Sequence, residues 1–322
     1  MTVSEDRGEV RADAAGVGAV ADIGAEDAVV AASSALSAPA LEVHDLTLAW
    51  EAGGAPTVEG VSLSVASGEM VCLVGRSGCG KSTLFHGLAG LTTPVSGEVL
   101  LHGEDVTGRP GRISYMLQKD LLLPQCTITD NVCLPLLLSG MPRREAHAKA
   151  ESLFERFGLD GTQTSYPGEL SGGMRQRAAL LRTYLMENDV VLMDEPFSAL
   201  DALTRRDMRS WFLSMVTDLG ISCVLITHDV DEAVEMADRI LVMCGNPKEG
   251  RPSSLVGEVP IDASRDARGE WLLTPASLDV KRKATLAGVI PSNVAFRVSR
   301  IARQRTGSRG NGALPRDAGL LC

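Results

Sequence analysis

The stretch GRSGCGKST, residues 75–83, stands between the apolar run GEMVCLV and the helix-like LFHGLAG. It matches G-x-x-x-x-G-K-[ST], and a strand before it and a helix after it are the surroundings a phosphate cradle requires. Gly75, Gly78 and Gly80 allow the backbone N–H groups of a loop that also holds Arg76, Ser77 and Cys79 to wrap a β-phosphate, and the helix N-terminus adds its dipole. Lys81 reaches the β- and γ-phosphates, Ser82 offers a hydroxyl to Mg²⁺, and Thr83 closes the motif. A glycine-rich turn without a ligand is the competing reading, weakened by the flanking elements. Cys79 and His86 read most simply as packing or exposed residues.

Outward from this loop the chain alternates in kind. LEVHDLTLAW and VEGVSLSV, on either side of EAGGAP, alternate apolar and polar residues and predict an antiparallel hairpin. SGEVLLHG and GRISYMLQ read as further strands. From about 119 to 180 the periodicity becomes helical, with MPRREAHAKAESLFERFG an amphipathic helix ending at Gly158. Then VVLM, ISCVLITH and DRILVMC, each an apolar strand, alternate with DALTRRDMRSWFLSMVTDLG and DVDEAVEMA as helices. Buried strands alternating with helices predict an α/β fold, a parallel sheet covered on both faces and interrupted by a helical insert. SLVGEVPI is expected as a late edge strand and PASLDVKRKATLAG as a last helix.

Composition bounds the class. The 322 residues are 44% apolar, enough for a large core, and the net charge of −10 argues against a nucleic-acid binder. Residues 1–40 carry seven acids against two arginines and lack apolar content, which predicts a disordered acidic extension. Residues 289–322 carry six arginines against Asp317 and read as a basic, flexible tail, with lipid contact the less favoured alternative. Seven cysteines without CxxC spacing signal neither zinc nor a disulfide framework and fit a reducing cytosol. The acidic N-terminus does not resemble a signal peptide, and no run of about 18 apolar residues occurs, so the chain is not expected to span a membrane.

Four more features carry chemistry. VVLMDEP delivers Asp194 at the carboxyl end of a buried strand, where it would hold Mg²⁺ through a water, with Glu195 beside it to polarise a nucleophilic water. Capping of the next helix is the plainer alternative. His228 closes ISCVLITH and could orient Glu195 or meet a γ-phosphate, and Gln118, ending ISYMLQ, could touch Mg²⁺ or the water. LSGGMRQR, residues 170–177, sets Ser171, Gly172 and Gly173 at a helix N-terminus, a second anion trap. Arg175 and Arg177 are expected to pair with acids on the helix surface, an added positive field being the less favoured alternative.

With these pieces in order, residues 41–288 resemble the ATP-binding subunit of an ABC transporter. GRSGCGKST is similar to that family's Walker A loop, Gln118 to its Q-loop glutamine, and LSGGMRQR to its signature. VVLMDEP resembles Walker B with the catalytic glutamate, SALD with Asp201 the D-loop, His228 the switch histidine, and Trp50 the aromatic position that stacks on adenine. The resemblance implies a P-loop NTPase (RecA-like) core with an antiparallel β subdomain and the helical subdomain at about 119–180. It implies ATP and Mg²⁺ as cofactors, and Glu195, His228, Lys81 and Gln118 as catalytic residues. It also explains the second anion trap. In this family two subunits meet head to tail, and each signature completes the other's site.

The implied partners are a second ATP-binding subunit, permease subunits docking on the insert, and indirectly a substrate-binding protein, all at the cytoplasmic face of the cell membrane. YMLQKDLLLP, LSGGMRQR and DEPFSALDALTR resemble the nitrate, sulfonate and taurine group of importers, with LLRTYLMENDVVLMDEPFSALD leaning to uptake of thiamine pyrimidine precursors. An exporter subunit or a nucleotide-driven switch without transport remains the alternative. Substrate choice lies with other subunits, so the cargo is not written in this chain.

Overall fold

The computed structural model of the chain describes residues 39–289, apart from 52 and 266. The two terminal extensions expected from the sequence therefore lie, except for their inner ends, outside the described residues. Among the described residues, ten strands make one continuous run of pairings in the order β5-β4-β1-β2-β10-β9-β3-β8-β7-β6.

The antiparallel end forms first along the chain. β1 (Leu41–Ala49) and β2 (Pro56–Val65) pair as the predicted hairpin, and β4 (Ser96–Leu101) and the short β5 (Glu104–Asp105) extend it. β3 (Met70–Gly75), β6 (Ser114–Met116), β7 (Val190–Asp194), β8 (Ser222–Thr227) and β9 (Arg239–Asn246) form the parallel core. β8 is buried at every position, which is why it reads as an unbroken apolar run. Period-two geometry divides β3 between two cores: Val71 and Leu73 face one cluster, Met70, Cys72 and Val74 the other.

The helices cover those faces. α1 (Lys81–Leu88) lays Leu84, Phe85 and Leu88 into the first core, while α6 (Ala202–Leu219) and α7 (Val230–Met236) set Met208, Phe212, Val234 and Met236 into the second. α2 (Ile128–Val132), α3 (Leu134–Leu138), α4 (Arg143–Phe154) and α5 (Gly172–Tyr184) enclose a third cluster that includes Ile128, Leu136, Phe154, Phe157 and Leu181. α8 (Arg268–Trp271) and α9 (Pro275–Val289) close the described chain. Among the described residues, no helix is long and apolar enough to cross a membrane.

Two expectations need correction. β10 (Arg251–Pro260) is not an edge strand: it pairs antiparallel with β9 and meets β2 at Ser253 and Val58, so it joins the antiparallel and parallel parts. Ser253 is fully buried there. Nor does Gln118 end a strand. β6 stops at Met116, and the segment from Leu117 to Thr127 is irregular. Asn131 ties that segment down, accepting from the Leu123 N–H at 2.6 Å and donating to the carbonyls of Leu123, Cys126 and Thr127. One buried amide thus satisfies backbone groups that a helix would otherwise pair internally.

Candidate functional site

The phosphate loop follows β3 directly, and its glycines are needed for two different reasons. Gly75 lacks room: a Cβ there would lie 2.5 Å from the Met243 carbonyl oxygen and 3.0 Å from Cys79 Sγ. Gly78, at φ 80°, has open space but a left-handed backbone that favours glycine. Lys81 begins α1 and is 6% exposed. Its Nζ donates to the carbonyls of Gly75 at 2.9 Å and Arg76 at 3.1 Å, which holds the ammonium against its own loop. Cys79 is buried, and that burial pushes its thiol up from the ordinary range.

Across from the loop, β7 presents two carboxylates with separate surroundings. Asp194 Oδ2 accepts from Ser82 Oγ at 2.7 Å and from the Tyr115 hydroxyl at 3.3 Å. Glu195 turns into the left-handed region at φ 46° while its N–H bonds the Ile226 carbonyl at 3.0 Å. Such a backbone in a non-glycine residue costs on the order of 1–3 kcal/mol and persists only where neighbours impose it. The turn aims the side chain away from Asp194's partners. Glu195 Oε2 receives Gln118 Nε2 at 3.1 Å and lies 3.3 Å from His228 Nδ1. Gln118 also reaches Ser198 Oγ at 3.3 Å, and no hydrogen bond among the described residues joins it to Ser82 or Asp194. Two residues distant in sequence, Gln118 and His228, thus converge on one carboxylate.

Trp50 follows β1 and is 69% exposed, an unusual state for so large an apolar ring. Its ring centroid is 6.2 Å from that of His86, which lies 5.9 Å from Tyr115. The sequence did not single out Tyr115, and His86 read there only as a packing or exposed residue. One is a lone helical histidine and the other a strand aromatic, and neither has a motif to mark it.

The LSGGMRQR segment begins α5. Ser171 caps the helix, accepting from the Met174 N–H at 3.3 Å, and remains exposed. Gly172 and Gly173 lie against the start of α6, where added Cβ atoms would come within 3.4 Å of Leu200 and 3.1 Å of Thr204. Asp201 caps α6 through the Thr204 N–H at 3.1 Å, and hydrogen bonds from Thr204 hold its carboxyl below the usual range. No hydrogen bond among the described residues links Ser171–Gly173 to residues 75–83. Arg175 meets an acid, Asp120, at 3.3 Å, and also the Leu170 carbonyl at 2.7 Å. Among the described residues Arg177 pairs with no acid. Its guanidinium lies 4.5 Å from the Trp211 ring centroid, with burial pulling its pKa down, so a cation–π contact replaces the expected ion pair.

The oxygen donors suit a hard cation. Among the described residues no group of three or more His, Cys, Asp or Glu could hold a metal. Ser82 and Asp194 supply one hydroxyl and one carboxylate 2.7 Å apart. That sparse set fits Mg²⁺, which keeps much of its water and leans on few protein ligands and on phosphate oxygens.

Comparison with known proteins places the chain in a family. Residues 58–198 match the family described as ABC transporter. The formylaminopyrimidine import ATP-binding protein ThiZ of Halalkalibacterium halodurans is 44% identical over 195 residues, 61% of this chain and 76% of the relative. The sulfate/thiosulfate import ATP-binding protein CysA of Methylococcus capsulatus is 39% identical over 210 residues, 63% of this chain but only 60% of the relative's length. Among solved structures, the ATP-binding cassette MJ0796, a dimer in a post-hydrolysis state bound to ADP and Pi, has a TM-score of 0.58 and 25% identity, covering 70% of this chain and all of that one. Identity of 44% across three quarters of the first relative is decisive: the chain belongs to the ABC transporter family, as an ATP-binding, ATP-hydrolysing subunit similar to those of importers.

Proposed function

We propose that this chain powers a binding-protein-dependent importer of a small solute, acting as one of two facing copies at the cytoplasmic face of the membrane. The observation that carries the hydrolytic part is the convergence of Gln118 and His228 on the Glu195 carboxylate at 3.1 and 3.3 Å. In this reading Glu195 takes the proton from the attacking water as the water oxygen bonds to the γ-phosphorus and the bond to the β-phosphate bridge breaks. His228 holds Glu195 in line, and Gln118 reports the state of the site to the insert beyond it. Lys81 exchanges its loop carbonyls for β- and γ-phosphate oxygens. The loop residues Gly75, Arg76, Ser77, Gly78, Cys79, Gly80 and Thr83 enclose the phosphates through backbone N–H groups, and Trp50 offers a flat face to adenine.

Ser82, Asp194 and Gln118 would hold Mg²⁺. That ion, when bound, neutralises charge on the phosphate oxygens. Ser171, Gly172 and Gly173, with Asp201 at the neighbouring helix start, would face the γ-phosphate of ATP held by a second copy, since they make no bond to their own loop. That the similar cassette of known structure is a dimer supports an assembly of two copies. Permease subunits would dock on the insert of residues 119–180. Leu121 and Leu138, 51% and 85% exposed, favour that surface. For cargo, a pyrimidine precursor is favoured by the similarity to the formylaminopyrimidine import protein, ahead of nitrate, sulfonate or taurine. We further propose 41–288 as the nucleotide-binding domain.

The test is Glu195→Gln, which keeps shape and loses the base. The variant should bind ATP, accumulate as an ATP-bound dimer in size-exclusion chromatography, and lose at least about 10³-fold of the hydrolysis rate. Normal hydrolysis by this variant removes Glu195 from the role of base.

A further inference from the structure

We propose that Tyr115 is a positioning residue for Asp194, holding that carboxylate in the orientation that receives the divalent cation accompanying the nucleotide. The inference rests on the metal role proposed for Asp194. Tyr115 lies in the middle of β6, paired with Leu192 of β7, one register step before Met116 meets Met193. The next position on β7 is Asp194, so the phenol has only to extend along its own face to reach that carboxylate. The distance is 3.3 Å from the hydroxyl to Oδ2.

The ring is held from two sides. Phe85 meets it nearly edge-on, with centroids 5.9 Å apart at 81°, and His86 lies 5.9 Å away at 67°. Both come from α1, the helix that begins with Lys81 and Ser82. The ring also packs against the first hydrophobic core. An aromatic side chain so wedged has lost its torsional freedom on folding, and its hydroxyl direction is set before any ligand arrives.

Asp194 has two donors on the same oxygen, and they differ in kind. Ser82 Oγ, at 2.7 Å, is the exposed hydroxyl proposed to meet the cation, so its bond to Asp194 is shared with the metal. Tyr115 is committed to the carboxylate alone. A phenol carries its proton at neutral pH, so it stays a donor. A ligand carboxylate with one immobile donor behind it is the arrangement by which outer partners fix a metal site, commonly at 10–100-fold in affinity. At 3.3 Å the contact is longer than a usual O–H···O bond, which places the expected effect near the lower bound, about tenfold.

The experiment uses Tyr115→Phe in the full chain, with Mn²⁺ as the probe, followed by electron paramagnetic resonance in the presence of ADP. The substitution removes one oxygen and keeps the ring contacts. Mn²⁺ affinity should fall about tenfold, and the cation concentration for half-maximal ATP hydrolysis should rise by the same factor, while the rate at saturating cation stays within about threefold of wild type. A ring acting only as packing would instead leave Mn²⁺ affinity within about twofold, or lower the saturated rate with no change in cation demand, and either result overturns the proposal. Asp194→Asn separates the layers. If it weakens Mn²⁺ binding and Tyr115→Phe does not, Tyr115 alone is misassigned; if neither does, Asp194 is not a metal residue and the inference falls with it.

Discussion

Replacing Gly75 by alanine tests the space argument at the phosphate loop. The new Cβ would lie 2.5 Å from the Met243 carbonyl oxygen, about 1 Å inside ordinary contact distance. That oxygen cannot retreat cheaply, because Gly75 and Met243 are ladder partners in the pairing of β3 with β9. The other neighbour, Cys79 Sγ at 3.0 Å, is itself buried. Overpacking of this kind costs roughly 2–3 kcal/mol. For a domain of this size each kcal/mol lowers the melting temperature by about 2–4 °C, so thermal unfolding should shift by about 4–12 °C. Displacement of the loop should also weaken binding of a fluorescent ATP analogue by at least about tenfold, equivalent to 1.4 kcal/mol.

Gly78→Ala is the matched control. It meets nothing within 4 Å, and its φ of 80° leaves only the left-handed penalty of about 1–2 kcal/mol. Asparagine, which tolerates that region, should recover most of the loss at position 78 and none at position 75. A Gly75→Ala protein that melts within about 1 °C of wild type and binds nucleotide normally would refute the reasoning.

Three further outcomes follow from the geometry. Asp201 should make stability depend on acid: Thr204 holds its folded carboxyl below the ordinary 3.8, so its contribution is present above pH 3.8 and is lost as pH falls through the lower folded value. Melting curves of wild type and Asp201→Ala should differ at neutral pH and converge in strong acid, and a constant gap would remove the cap from the explanation. Arg268, 3% exposed, donates to the carbonyls of Val234 at 3.1 Å, Ala237 at 2.5 Å and Ala263 at 2.7 Å. Arg268→Ala strands those acceptors and should cost about 3 kcal/mol or more in urea unfolding while leaving ATP affinity of the folded protein unchanged; a loss under 1 kcal/mol contradicts it. Glu195→Gln should separate nucleotide-driven dimerisation from hydrolysis, as set out above.

Much of the site lay open in the chain because its chemistry is local. A phosphate loop needs glycines at fixed offsets after a strand, and a helix start needs a short oxygen-bearing side chain. The segment 75–83 and the caps Ser171 and Asp201 satisfy those needs within a few residues of themselves. Apolar runs such as SCVLIT announce strands covered on both faces for the same reason: burial acts on each residue separately.

Other features depend on partners far away in sequence. The place of β10 between β2 and β9 turns on where Ser253 meets Val58, which no pattern within Arg251–Pro260 encodes. Glu195 precedes Pro196, which ordinarily favours an extended backbone, yet its φ is 46° while its N–H bonds Ile226 of β8, a partner remote in sequence. Arg177 looked like a surface cation until the Trp211 ring was found beneath it. Tyr115 carried no mark at all, since a tyrosine in a strand is ordinary core until its hydroxyl is seen beside Asp194. By itself, then, the sequence determined the phosphate loop, the buried parallel strands and the helix starts, whose requirements are met by neighbours along the chain. The tertiary structure decided which side chains converge on Asp194 and Glu195, because that depends on sheet order and backbone direction, set only when distant strands pair.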